Sequence, residues 1–215
     1  SYANLRSPLH FLVLMEIRVH SMIYFILFVM SWVNIVAQTE REPVQEKQIW
    51  AIKPTSTKVL ADKVDGEWFS MRPPKQYRRV ELDTTAYKEA GINVAAWSKD
   101  SGFSIKPSIS VMFLPPSTVQ ANNDKEFFEG LLKSLTARWP ETIGKGIKKG
   151  NWNGRVAHRM EFEASGEEGK IMGVAYAIIS PTGTFVVSAI HPNNSPEDRE
   201  AFKVVEQAVL SCKRN

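Results

Sequence analysis

Cysteine is almost missing from this chain: of 215 residues, only Cys212 carries a thiol. One thiol cannot close an intramolecular disulfide or build a cysteine-rich metal site, so stability has to come from packing. Histidine is scarce as well, with four in all and only His158 and His191 beyond residue 38. No Cys or His cluster has ligand spacing, so neither a metal nor another cofactor is expected. The glycine-flanked serine of a nucleophile elbow is absent, as is the Gly-Lys-Ser/Thr ending of a phosphate loop. The glycines of TIGKGIKKGNWNG (142–154) are followed by no helix and do not read as a phosphate cradle. There is no repeat and no low-complexity tract. Charge of one sign is not in large excess: 27 Lys and Arg stand against 23 Asp and Glu, a net charge of +4. Without residues 1–38 the excess is about +3, too mild for a nucleic-acid binder.

What the chain does have is apolar mass, 43% of its residues, and six tryptophans. Residues 22–37 read MIYFILFVMSWVNIVA, and the residues before them carry Arg6, Arg18 and His20 against Glu16. A basic region, an apolar core and a small residue at a plausible cut make the layout of a secretory leader. Ser31 and Asn34 interrupt the run, and it is shorter than the roughly 20 residues of a membrane-spanning helix. A second apolar run, LHFLVLM (9–15), lies upstream, so Met15 or Met22 is a candidate start. No cysteine follows the apolar core to accept a lipid. The expectation is a signal peptide with an upstream extension over 1–37 and an extracytoplasmic product, periplasmic or secreted, with no stable membrane span after removal of the leader.

Residues 38–65, with EREPVQEKQ and KPTSTK, lack a sustained apolar period and read as a polar linker, from which Trp50 and Ile52 fold back. A single domain is expected over 66–215. Trp68, Phe69 and Met71 form a first strand that Pro73 and Pro74 end, since proline donates no backbone hydrogen bond. After a loop holding TTAYKEAG, INVAAWSK places Ile92, Val94 and Ala96 on one face. SIKPSISVMFLPP sets Ile109, Val111 and Phe113 against Met112 and Leu114. Asn123 caps a helix with Glu126 three residues on, and Phe127, Phe128, Leu131, Leu132, Leu135 and Trp139 recur at helical spacing. TIGKGIKKGNW and RVAHRMEFEAS then flank Asn153-Gly154, a pair suited to a type I′ hairpin.

The strand KIMGVAYAIIS is apolar on both faces and should be central, and TFVVSAIH pairs back on it. Ser195, Pro196, Glu197 and Asp198 announce the last helix, with a stripe of Ala201, Phe202, Val205, Ala208 and Val209. Three strands, a helix, four strands and a helix give an α+β class: an antiparallel sheet of about six to seven strands with helices packed on it.

This order resembles the PsbP-like fold superfamily, which takes in the extrinsic luminal subunit of photosystem II, a eukaryotic Ran-binding import factor and many bacterial secreted proteins. The resemblance spans about 66–212 and rests on WFSMRPPKQY, the helix DKEFFEGLLKSL, NWNGRVAHRMEFEA and the closing AFKVVEQAVLSCK. It implies an αβα sandwich serving as a docking module, and it transfers no site residue. The leader lacks the Ser/Arg-rich transit layout of a chloroplast protein.

His158 falls on the apolar face of its strand and reads as a hydrogen-bonded core residue before a catalytic base. His191, in HPNNSPED, reads as a turn residue, and Cys212 as a terminal or buried thiol. One cluster keeps a binding claim: Lys145, Lys148, Lys149 and Arg155 flank Trp152 around a single hairpin, with Lys145 and Lys149 expected on one strand face. Arg72, Lys75, Arg78 and Arg79 form a second basic group. Together these features point to a non-enzymatic binding or docking domain for a protein or an anionic envelope component. The alternative is a hydrolase or small-ligand carrier with a pocket between sheet and helix that uses His158 or His191.

Overall fold

A computed structural model of the protein describes residues 49–51, 58–100, 105–118 and 123–215. The expected leader over 1–37 lies outside them. The strands and helices are β1 (Ile49–Ala51), β2 (Val64–Asp65), β3 (Phe69–Met71), β4 (Arg78–Arg79), α1 (Thr85–Glu89), β5 (Asn93–Ser98), β6 (Ser108–Leu114) and α2 (Asp124–Thr136). They continue through β7 (Glu141–Trp152), β8 (Arg155–Gly166), β9 (Gly169–Ser180), β10 (Gly183–Pro192), α3 (Pro196–Ser211) and β11 (Lys213–Arg214).

The main sheet runs β1-β7-β8-β9-β10-β6-β5-β4, with seven strands antiparallel and β1 added parallel to β7. The class is α+β, as the order of elements implied. Hairpins build the sheet's centre, and β9, apolar on both faces, lies between β8 and β10. Alternation then divides the side chains. Met112, Leu114, Met160, Phe162, Ala175 and Val186 meet Phe127, Phe128, Leu131 and Leu135 of α2 on one face. Ile109, Val111, Val174, Tyr176 and Val187 meet Val205, Ala208 and Val209 of α3 on the other. Each large side chain buried this way contributes roughly 1.5–3 kcal/mol relative to exposure. At one point an aromatic ring lies over the backbone and leaves room only for glycine: a Cβ on Gly173 would lie 2.1 Å from the ring of Phe162, its ladder partner.

Both long helices are capped as their sequences imply. Asn123 Oδ1 accepts the Glu126 amide at 3.0 Å. Ser195 and Asp198 form a reciprocal capping box, with Pro196 in the first turn.

Several elements differ from expectation. The first strand, β3, does not join the main sheet; it pairs with β2 and β11 in a separate three-stranded sheet over the α3-side core. Its partners are two residues long and one follows α3, so neither has a readable period. The loop holding TTAYKEAG contains α1, a single short turn of helix too brief for periodicity to reveal. Parts of the expected linker are structured: β1 pairs with Lys149, Gly150 and Asn151, Leu60 is buried and bridges Pro74, and β2 pairs with β3. In α3, Leu210 is buried and Ala201 exposed, so the covered stripe lies toward the helix's carboxyl end.

Candidate functional site

The β7–β8 turn follows from its two residues. Asn153 (φ 52°) and Gly154 (φ 80°) both occupy the left-handed region that a type I′ hairpin requires. Asn151 Oδ1 accepts the Gly154 amide at 2.9 Å, and Asn153 Nδ2 donates to the Cys212 carbonyl at 2.7 Å. Beside that contact β11 pairs with β3, setting Arg214 opposite Phe69. The guanidinium of Arg214 lies over the Phe113 ring, 4.5 Å from its centroid. Asn215 continues the anchoring, its amide donating to Trp68 and its side chain to Gly66. The tip of one hairpin and the segment after α3 are thereby held together.

Between them opens a solvent-exposed groove of about 570 Å³, lined by Arg155, Val156, Ile178, Ile179, Ser180, Thr182, Arg214 and Asn215. Among these Ile178 is buried, and Val156 stands 57% exposed. Ser180 is committed locally, donating to the Gly183 carbonyl at 2.7 Å. Neither Arg155 nor Arg214 has a carboxylate partner among the described residues. That leaves two guanidinium groups available to an incoming anion.

The rest of the basic hairpin is dispersed. A bulge between Gly144 and Ile147, with Gly146 at φ 81°, inserts one residue and reverses the face on which Lys145 falls. Lys145 consequently reaches Glu163 at 2.6 Å, on the same side as Lys148, which lies opposite Arg159. Lys149 takes the other face, opposite His158. The expected sharing of a face by Lys145 and Lys149 is thus overturned, because simple alternation takes no account of a bulge. Trp152 is 2% exposed, donates from Nε1 to the Leu210 carbonyl at 3.3 Å and packs on Tyr176 and Phe185; it is a core residue. Of the five hairpin residues, Arg155 alone lines the groove.

Both histidines stand beside a carboxylate at a helix start. His158 Nε2 is 3.4 Å from Asp124 Oδ2, and burial holds its pKa below the ordinary value despite that carboxylate. Its Nδ1 is buried with no partner among the described residues. His191 is buried, its Nδ1 2.9 Å from the Pro192 carbonyl oxygen and 3.8 Å from Asp198, and burial lowers its pKa as well. Neither ring is hydrogen-bonded to a serine, threonine or cysteine among the described residues, and neither lines the groove. The expected location between sheet and helix also differs: Phe128, Leu135, Ala208 and Val209 fill those interfaces, and the groove opens at the strand ends. Cys212 is fully buried, and desolvation pushes its thiol pKa well up.

One polar cluster had no counterpart in the sequence reading. Arg159 is hydrogen-bonded to Tyr176 Oη at 2.7 Å, to Glu206 at 2.5 Å and to Glu161 at 2.5 Å, and Tyr176 Oη donates to Glu206 at 2.6 Å. Desolvation opposes the charge on Arg159, but Tyr176, Glu206 and Glu161 outweigh it and the group stays cationic. Burial of Glu161 is likewise outweighed by Arg159 and the nearby lysines, which hold its carboxyl below the ordinary value. Strand alternation puts Arg159 and Glu161 on one face of β8; it holds no sign of Glu206, 47 residues on. The network fastens α3 to the sheet. No group of three or more potential metal ligands occurs among the described residues.

No protein-family model matches the sequence, and no curated protein matches it. Among solved structures the chain is similar to cyanobacterial PsbP (CyanoP) from Synechocystis sp. PCC 6803, with a TM-score of 0.52 and 10% identity over 77% of this chain and 98% of that one. It is also similar to the Saccharomyces cerevisiae Ran-binding protein Mog1p, with a TM-score of 0.46 and 12% identity over 71% of this chain and 94% of that one. LpqN of Mycobacterium tuberculosis, described as involved in cell envelope biogenesis, aligns with a TM-score of 0.40 and 13% identity over 68% of this chain and 83% of that one. With two helical layers closing on an antiparallel sheet and CyanoP superposing along nearly its whole length, the chain has a PsbP-like fold.

Proposed function

We propose that the chain is an exported, non-enzymatic docking domain whose binding surface is the groove at the strand ends. The observation that carries this reading is the pair of arginines that line one groove, Arg155 exposed and Arg214 half-buried over the Phe113 ring, with no acidic partner among the described residues. A guanidinium in that state keeps its fork of donors for a carboxylate or another oxyanion. Catalysis finds less support, because each histidine stands beside a carboxylate at a helix start and neither lines the groove.

Export is supported by the basic and apolar layout of residues 1–37 and by the single thiol. Cys212, buried and held protonated, is poorly suited to thiolate chemistry in an oxidising compartment. Two measurements test the reading. Amino-terminal sequencing of protein recovered from the extracytoplasmic fraction should begin at or near Gln38; a chain still carrying residues 22–37 would make it membrane-anchored. Cross-linking from a photoreactive residue at position 182 should trap a partner that is lost in Arg155→Glu. Trapping unchanged by that substitution would move the interface elsewhere.

A further inference from the structure

Resting on the docking reading above, we infer that the groove accepts an extended peptide segment in which acidic side chains alternate with aliphatic ones. Two positive charges alone would suit many anions, so the choice depends on what surrounds them. Val156 is 57% exposed and lines the groove with the partly buried Ile179, apolar surface that a hydrated anionic surface would leave uncovered. A broad polyanion also requires a wide field of one sign. Here the neighbouring cations are neutralised or turned away: Lys145 is paired with Glu163, Lys148 lies near Glu161, and Lys149 faces the opposite side.

Shape narrows the choice further. The groove is open to solvent and does not enclose a small molecule as a ligand pocket does. An extended chain presents side chains at a period of two, so an acid and an aliphatic residue can reach a guanidinium and Val156 from successive positions. Arg214 is pre-ordered by its ring contact with Phe113, which reduces the entropy lost on pairing.

The test pans a random heptapeptide library displayed on phage against the full chain, with Arg155→Glu, Arg214→Gln and Lys149→Glu as parallel baits. Recovered sequences should be enriched in Glu or Asp next to Val, Ile or Leu. A synthetic peptide of that consensus should lose about tenfold or more in affinity to Arg155→Glu and to Arg214→Gln, the scale of one lost charge-assisted hydrogen bond, and nothing to Lys149→Glu. Arg155 is exposed at a turn, so its variant tests the groove even where Arg214→Gln perturbs β11. Enrichment of another chemistry that still depends on Arg155 overturns the acidic-aliphatic assignment and leaves the docking groove standing. Enrichment indifferent to both arginines, or none, overturns the assignment and the groove together. Vesicles rich in phosphatidylglycerol that bind the wild type better than any recovered peptide overturn it in favour of an anionic surface.

Discussion

Asn153 donates from its side-chain amide to the carbonyl of Cys212 at 2.7 Å, a hydrogen bond between residues 59 apart that joins the β7–β8 tip to the segment after α3. The same asparagine sits at φ 52°, so one residue both permits the turn and ties it down.

Those two roles separate by substitution. Asn153→Gly keeps the turn and loses the bond, which should cost about 1 kcal/mol. Asn153→Ala loses the bond and adds the left-handed penalty, bringing the cost to about 2–3 kcal/mol. Urea denaturation should rank wild type above Asn153→Gly and Asn153→Ala last. Equal values for the two variants would show that backbone strain at this turn is unimportant.

Arg159 and Glu206 should behave as a coupled pair. Arg159→Met leaves Glu206, Glu161 and Tyr176 without their shared partner in a poorly solvated site, and a loss of about 3 kcal/mol is expected. Arg159→Met combined with Glu206→Leu should cost less than the sum of the two single changes, because the second substitution removes a charge the first has stranded. A thermal or chemical double-mutant cycle measures the coupling. Additive losses would mean that the two side chains act independently in spite of their 2.5 Å contact.

What the sequence made legible follows from local rules. Alternation grouped Ile92, Val94 and Ala96 on one face and set Ile109, Val111 and Phe113 against Met112 and Leu114, as the two cores divide them, and the caps at Asn123 and Ser195 stand where their residues place them. Illegible were relationships that depend on another part of the chain. The bulge at Lys145 and Gly146 changed which lysines share a face. Two-residue strands such as β11 have no period to detect. The groove joins Arg155 to Arg214 across 59 positions, and no spacing rule links a hairpin tip to the segment after a distant helix.

Gly173 and Phe162 supply a packing test. Gly173→Ala would place its methyl 2.1 Å from the Phe162 ring in the centre of the sheet, where neither strand has room to retreat. A loss of about 1–3 kcal/mol is expected, as for other overpacked cores. Phe162→Leu in the same chain should recover part of it, although that change alone opens space and destabilises. Should the double variant prove no more stable than Gly173→Ala, the close approach is not the cause.

Stability should also fall as the solution is acidified through the histidine range. Burial keeps His158 and His191 below the ordinary histidine value in the folded protein, despite the nearby Asp124 and Asp198. The unfolded chain, with histidines near about 6.5, therefore takes up protons that the folded chain resists, and stability drops as pH descends through that value toward the folded ones. The effect is absent above the unfolded value, where both states are neutral. At lower pH a second loss sets in as Glu161, held below its ordinary value by Arg159 and the lysines, becomes protonated. Melting temperatures measured at successive pH values should show the first decline beginning just below pH 7, by about the unfolded histidine value. His158→Gln and His191→Gln should each flatten that first decline while leaving the second in place, whatever they do to stability at neutral pH. A decline of undiminished steepness in the double variant would assign the acid sensitivity to carboxylates alone.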